Sequence, residues 1–295
     1  MKNQKNSSEK KIDGNNILYH IIQKQIILAG DSDNPTQETK FLIEHLLLWG
    51  GIWFTPEVYK TIPVLLPYVI RDASCRKVDP KTGKDTRGIA TPNGFLPDDN
   101  SSIKGIPKSL RIISHISEMN GNRMGNGFVA SHIWRKLIKH TDILASQYAA
   151  TNSFIPNLVW LPSQISKLTD REGSYAQRFL QYVSSRLYKN IQIKNKTIQN
   201  IWDELEEPDI TPICEVDLNN LNYFDTTANW LNKRRDNLNK ELQSILSILD
   251  GQTPCMNKIN VGNYVPTLQQ ISKSMPLSVK NSFELWIKDN LYNPH

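Results

Sequence analysis

The stretch Phe128-Val129-Ala130-Ser131-His132-Ile133-Trp134, answered after a polar excursion by Pro156-Asn157-Leu158-Val159-Trp160-Leu161, decides how this chain is read. Both segments are short, apolar and of strand length, with turn-forming residues at their ends, so they are expected to be two buried strands. From Ser163 to Tyr188 apolar residues recur three and four apart, which predicts a helix carrying Ser166 and Asp170. The order is thus a histidine ending one strand, an asparagine opening the next, and an acidic residue in the helical run beyond.

Working outward, residues 1–16 are a Lys-, Asn- and Ser-rich leader with almost nothing to bury. Helical periodicity over Ile17–Leu28 and Thr36–Trp49, with turn and capping residues at 30–35, predicts a helical hairpin. The apolar stretch Val58–Ile70 is interrupted by Pro63 and Pro67 and must be short, kinked or partly extended. Arg71–Asn100 is a long polar excursion whose Arg71, Arg76, Lys77, Lys81, Lys84 and Arg87 suit either solvent or a phosphate backbone. Asp98-Asp99-Asn100-Ser101 is expected to cap a helix through Ile103 to Met119, regular from about Pro107. Asn120–Gly127 is a flexible turn on which Arg123 rides. Further helices are predicted over Ile198–Leu205, Asp225–Leu249 and Leu277–Leu291. The chain therefore divides into the leader 1–16, a helical N-terminal region with a basic loop over 17–120, a hairpin-and-helix module over 121–190, and a helical C-terminal region over 191–295.

At 295 residues the chain can bury a substantial core without staples. Its three cysteines form no CxxC pair, so neither a structural zinc nor a disulfide framework is expected. The polar, basic start and the lack of any membrane-length apolar run point to a cytoplasmic protein that engages no membrane. The net charge of +6 favours a polyanionic partner. No GxxxxGK[ST] loop, no GxGxxG after a strand and no GxSxG elbow is present, and Glu215-Val216-Asp217 lacks the lysine of the other common nuclease pattern.

Hydrolysis of a phosphodiester requires that water lose a proton, that the non-bridging oxygens be screened and that the departing oxygen be stabilised; one imidazole and one divalent cation can share these tasks. His132 is the candidate for the imidazole. Each residue also has an ordinary structural explanation: His132 as a buried core histidine, Asn157 as a turn cap, and Asp170 as a helix partner of Arg171 or Arg178. His20, His45 and His140 have no partner spacing and are read as structural.

Phe128–Ile133, Asn157–Leu161 and the helix from Ser163 together resemble the HNH, or ββα-metal, nuclease family over about 45 residues. The resemblance implies a mostly α fold with a small ββα-metal β-hairpin and helix module. It implies His132 as general base and Asn157 as the residue that holds the hairpin loop and orients the histidine. Asp170 and Ser166, four residues apart on one helical face, would be the metal ligands, with Asp142 and Glu172 in reserve and Mg2+ as the cation. This chain has Ser131 where many members carry an Asp or His ligand. Arg123, Arg135, Lys136, Lys167, Arg171 and Arg178 are the candidate DNA-binding residues. The implied function is endonucleolytic cleavage of double-stranded DNA, leaving 5′ phosphates and 3′ hydroxyls. The surplus of chain beyond the module suits a type II restriction endonuclease acting as a homodimer. The alternatives are a less specific defence or toxin nuclease and a non-catalytic DNA-binding helical protein.

Overall fold

The computed structural model describes residues 35–72, 75, 88–252, 259 and 263–292. The expected leader, the helix over 17–28 and most of the basic loop lie outside the described residues. About half of the described chain is helical, and the rest frames a small mixed sheet, giving an α+β architecture.

Seven strands are described: β1 (Ile52–Trp53), β2 (Val69–Arg71), β3 (Leu96–Asp98), β4 (Ile112–Ile113), β5 (Phe128–His132), β6 (Leu158–Pro162) and β7 (Asn222–Phe224). Five of them form one sheet in the order β4-β7-β1-β6-β5, parallel only between β1 and β7, while β2 and β3 pair separately in parallel. The helices are α1 (Gln37–Gly50), α2 (Pro56–Thr61), α3 (Ser101–Gly105), α4 (Ala149–Asn152), α5 (Tyr175–Tyr188), α6 (Lys196–Gln199), α7 (Ala228–Leu249), α8 (Tyr264–Ser272) and α9 (Leu277–Asp289).

The two quoted segments pair as expected, antiparallel and in full register from Phe128 opposite Pro162 to His132 opposite Leu158. Leu158, Val159, Trp160 and Leu161 are all buried, so β6 is covered on both faces, which explains its unbroken apolar run. Trp160 meets Phe54 and Phe224 edge to face at 5.2 and 5.3 Å, anchoring β6 in the centre of the core.

Three expectations are corrected. The helix through Ile103 to Met119 does not form: α3 gives way to a 3-10 turn at Ile106–Ser109, and Ile112–Ile113 joins the sheet against Tyr223 and Phe224. Pairing with a strand more than a hundred residues away overrides the local helical spacing. The single helix over Ser163–Tyr188 is two pieces, a 3-10 turn at Ile165–Thr169 and α5. Gly173 at φ +71° separates them, and Ser174 restarts the helix by accepting from the Gln177 amide at 3.3 Å. Ser166 and Asp170 are therefore not stacked on one α-helical face, because a 3-10 turn repeats every three residues. The helices over Leu277–Leu291 and Asp225–Leu249 form close to their expected limits.

Candidate functional site

The end of β5 opens onto a cavity of about 500 Å³. Ser131, His132 and Arg135 contribute from β5 and the chain after it, Ser166, Thr169 and Asp170 from the 3-10 turn, and Asp99, Asn100, Lys104 and Lys108 from the segment around α3. Arg71 at the end of β2 completes the lining. Four cationic side chains, Arg71, Lys104, Lys108 and Arg135, thus face two carboxylates, Asp99 and Asp170, an electrostatic balance that attracts an anion.

His132 is fixed from behind. Its Nε2–H donates to the Asn152 carbonyl at 2.8 Å, and Asn152 is itself held by its Nδ2–H donating to the Val69 carbonyl at 2.9 Å. That bond selects the tautomer with its lone pair on Nδ1, which faces the Asn100 carboxamide at 3.5 Å. One edge of the ring reaches the cavity, but the surrounding protein strips most of its water. This burial, reinforced by the positive charges of Arg71 and Arg135 and opposed by the bond to Asn152, pushes the imidazole down to about 4. The ring is consequently neutral at physiological pH.

Asn157 does not line the cavity. Fully buried at the entry to β6, it accepts through Oδ1 from the amides of Ile133 and Trp134 at 3.1 and 2.7 Å and donates through Nδ2 to the Thr151 carbonyl at 2.9 Å. These bonds clamp the chain leaving β5 to the chain entering β6, so Asn157 sets where His132 stands from behind the cavity wall.

Asp170 presents an exposed carboxylate to the cavity. Arg135 donates to its carbonyl and lies 3.9 Å from its carboxylate and 4.0 Å from that of Glu172. Ser166 gives its hydroxyl proton to the Ser163 carbonyl at 2.8 Å, leaving its oxygen lone pairs available. Magnesium takes one or two protein carboxylates and fills its octahedron with water and substrate phosphate oxygens. A carboxylate at Asp170 with a hydroxyl at Ser166 fits that habit. Among the described residues no group of three or more His, Cys, Asp or Glu gathers at one point, so these residues do not build an all-protein cage.

The remaining expected residues are dispersed. Arg123 is exposed and meets Arg111 through a backbone bridge, and Lys136, Lys167 and Arg171 are exposed outside the cavity lining. Arg178 lines a separate cavity with Lys40, Tyr175 and Asp209. Asp142 is exposed and does not line the His132 cavity. His45 donates through Nδ1 to the Phe41 carbonyl at 3.0 Å and His140 packs tilted against the Tyr148 ring at 4.8 Å, while His20 lies outside the described residues.

Asp99, Asn100 and Asn152 carry no site signal in the sequence. Asp99 and Asn100 belong to a capping pattern that hides any other role; Asn152 sits in a polar excursion with no pattern to mark it. Comparison with protein-family models, with curated proteins and with solved structures gives no match for the chain.

Proposed function

We propose that this chain is a metal-dependent endonuclease that hydrolyses phosphodiester bonds in double-stranded DNA, with a ββα-metal module formed by β5, β6 and the helical segments that follow. The observation that carries the reading is an imidazole tethered by one nitrogen and opening by the other onto a cavity walled with Arg71, Lys104, Lys108 and Arg135.

His132 Nδ1 takes the proton of a water, whose oxygen attacks phosphorus; the bond to the 3′ oxygen breaks and that oxygen leaves with the electron pair and is protonated by solvent. A conjugate acid at about 4 makes a weak base in the empty cavity. A phosphodiester anion seated between Arg71 and Arg135 offsets the two positive charges that hold it down and brings it nearer its ordinary range. Asp170, with Ser166 acting directly or through a water, would hold a magnesium ion, which supplies Lewis-acid stabilisation at the scissile phosphate. The cationic walls bind the phosphate backbone without regard to sequence, and recognition of bases falls to the rest of the chain, as a site-specific type II restriction enzyme working as a cytoplasmic homodimer requires.

Supercoiled plasmid incubated with Mg2+ tests this reading. Wild type is expected to give discrete linear bands that EDTA abolishes, and His132→Ala is expected to lose at least about 100-fold in rate while still shifting DNA in a gel. Equal cleavage by His132→Ala, or DNA retardation with no cleavage by wild type, refutes it.

A further inference from the structure

Asn100 carries two unfavourable features at once. It is the only non-glycine residue with positive φ among the described residues, at 72°, and its carboxamide Oδ1 is buried without a hydrogen-bond partner. Its neighbours enforce the conformation: the Asp98 carboxylate accepts from the Ser102 amide at 3.1 Å and from the Ser101 and Ser102 hydroxyls at 3.0 Å, and Asp99 accepts from the Ser101 amide at 3.1 Å. Strain and an unpaired polar atom persist together where surrounding structure over-determines them, and such places cluster at functional sites. Asn100 lines the cavity, and its Nδ2 stands 3.5 Å from His132 Nδ1.

We propose that Asn100 is a positioning residue for His132 and its water: its carboxamide caps Nδ1 in the resting cavity and, once an arriving water displaces it, turns Oδ1 to accept a hydrogen bond from the O–H that the water keeps while His132 removes its other proton. This rests on the nuclease reading above. Nε2–H is committed to the Asn152 carbonyl, so the lone pair on Nδ1 is the only basic site of the ring. The Nδ2–H over it is too distant for a strong bond, and an arriving water displaces it at little cost. That water donates one O–H to Nδ1 and needs an acceptor for the other. The charged groups sharing the cavity are Arg71, Asp99, Lys104, Lys108, Arg135 and Asp170; the four cations cannot accept, Asp99 already accepts from Ser101, and Asp170 lies beside Arg135. Oδ1 of Asn100 is an unpartnered acceptor on the same carboxamide whose Nδ2 stands 3.5 Å from the ring. The step balances: the water proton passes to Nδ1, its O–H electron pair forms the new O–P bond, and the leaving oxygen departs with the pair of the broken bond.

Asn100→Gly keeps the left-handed backbone and removes the amide, and Asn100→Asp keeps the shape and supplies a charged acceptor. For each, kcat and KM on plasmid with Mg2+ are measured beside 15N spectra of the His132 imidazole recorded without metal or DNA. Asn100→Gly is expected to lower kcat about 10- to 100-fold with KM nearly unchanged, without lowering the melting temperature, and to move the Nδ1 resonance toward that of an uncapped nitrogen while Nε2 stays in place. Asn100→Asp is expected to raise the acid midpoint of His132 by about one unit or more. Wild-type kcat in Asn100→Gly, or an imidazole spectrum superimposable on wild type, overturns the proposal. A wild type that does not cleave overturns the nuclease reading instead, and the spectra then decide the Asn100 contact alone.

Discussion

Truncating Asn157 to alanine should unfold the region that carries His132 more readily than any loss of surface charge could. The side chain is fully buried and makes three hydrogen bonds, to the Ile133 and Trp134 amides and the Thr151 carbonyl. The Ile133 amide also donates to the Asn157 main-chain carbonyl at 3.0 Å and keeps a partner, so two groups, the Trp134 N–H and the Thr151 C=O, lose the bonds that satisfy them. A buried polar group left unsatisfied costs about 1–3 kcal/mol, which places the total for two such groups at roughly 2–6 kcal/mol, a large fraction of a typical folding free energy of about 5–15 kcal/mol. Asn157→Asp keeps the acceptor for Trp134 but loses the donor to Thr151 and buries a carboxylate, and should be at least as damaging near neutral pH. Equilibrium unfolding in urea, followed by the fluorescence of the buried Trp134 and Trp202, which meet edge to face at 5.9 Å, reads the difference directly. A midpoint for Asn157→Ala that corresponds to less than about 1 kcal/mol would refute the claim that this side chain clamps the two strands.

Other outcomes follow from the same geometry. The His132 imidazole is held at about 4 against an ordinary 6.5, so between those values the unfolded chain binds the extra proton; stability should be full above about 6.5 and fall by about 3 kcal/mol as pH drops to 4. His132→Gln should flatten that part of a stability-against-pH curve, and an unchanged slope would place the titration elsewhere. Gly94 stands at φ +87°, and a Cβ there would lie 2.6 Å from the Phe283 ring, so Gly94→Ala should lower the melting temperature by several degrees, about 2 kcal/mol or more, whereas a neutral result would show that the Phe95–Phe283 contact yields. Glu44, wholly buried on α1, accepts from the Ile213 and Cys214 amides at 2.9 and 2.6 Å and from the Tyr175 hydroxyl. Glu44→Ala should destabilise the chain by about 3 kcal/mol in a thermal or denaturant melt, and wild-type stability would mean that water replaces the carboxylate.

What the sequence determined was local: two apolar segments of strand length, the amphipathic spacing of the later helices, and the order histidine, asparagine, acid. Those signals are written within a few residues of one another, and β5, β6, α7 and α9 form where they are expected. Gly173 and Ser174 also announce a helix stop and start, but the apolar periodicity on either side masks them. That Ile112–Ile113 is a strand follows from long-range pairing alone, because its partner β7 lies over a hundred residues downstream. The packed fold brings Asp99, Asn100 and Lys104 to the His132 cavity, leaves Arg178 in another, and commits one nitrogen of the imidazole to Asn152. Periodicity encodes which face a residue buries; which distant residues share a cavity depends on strand pairing and loop closure, and a single chain read in order holds no signal for that.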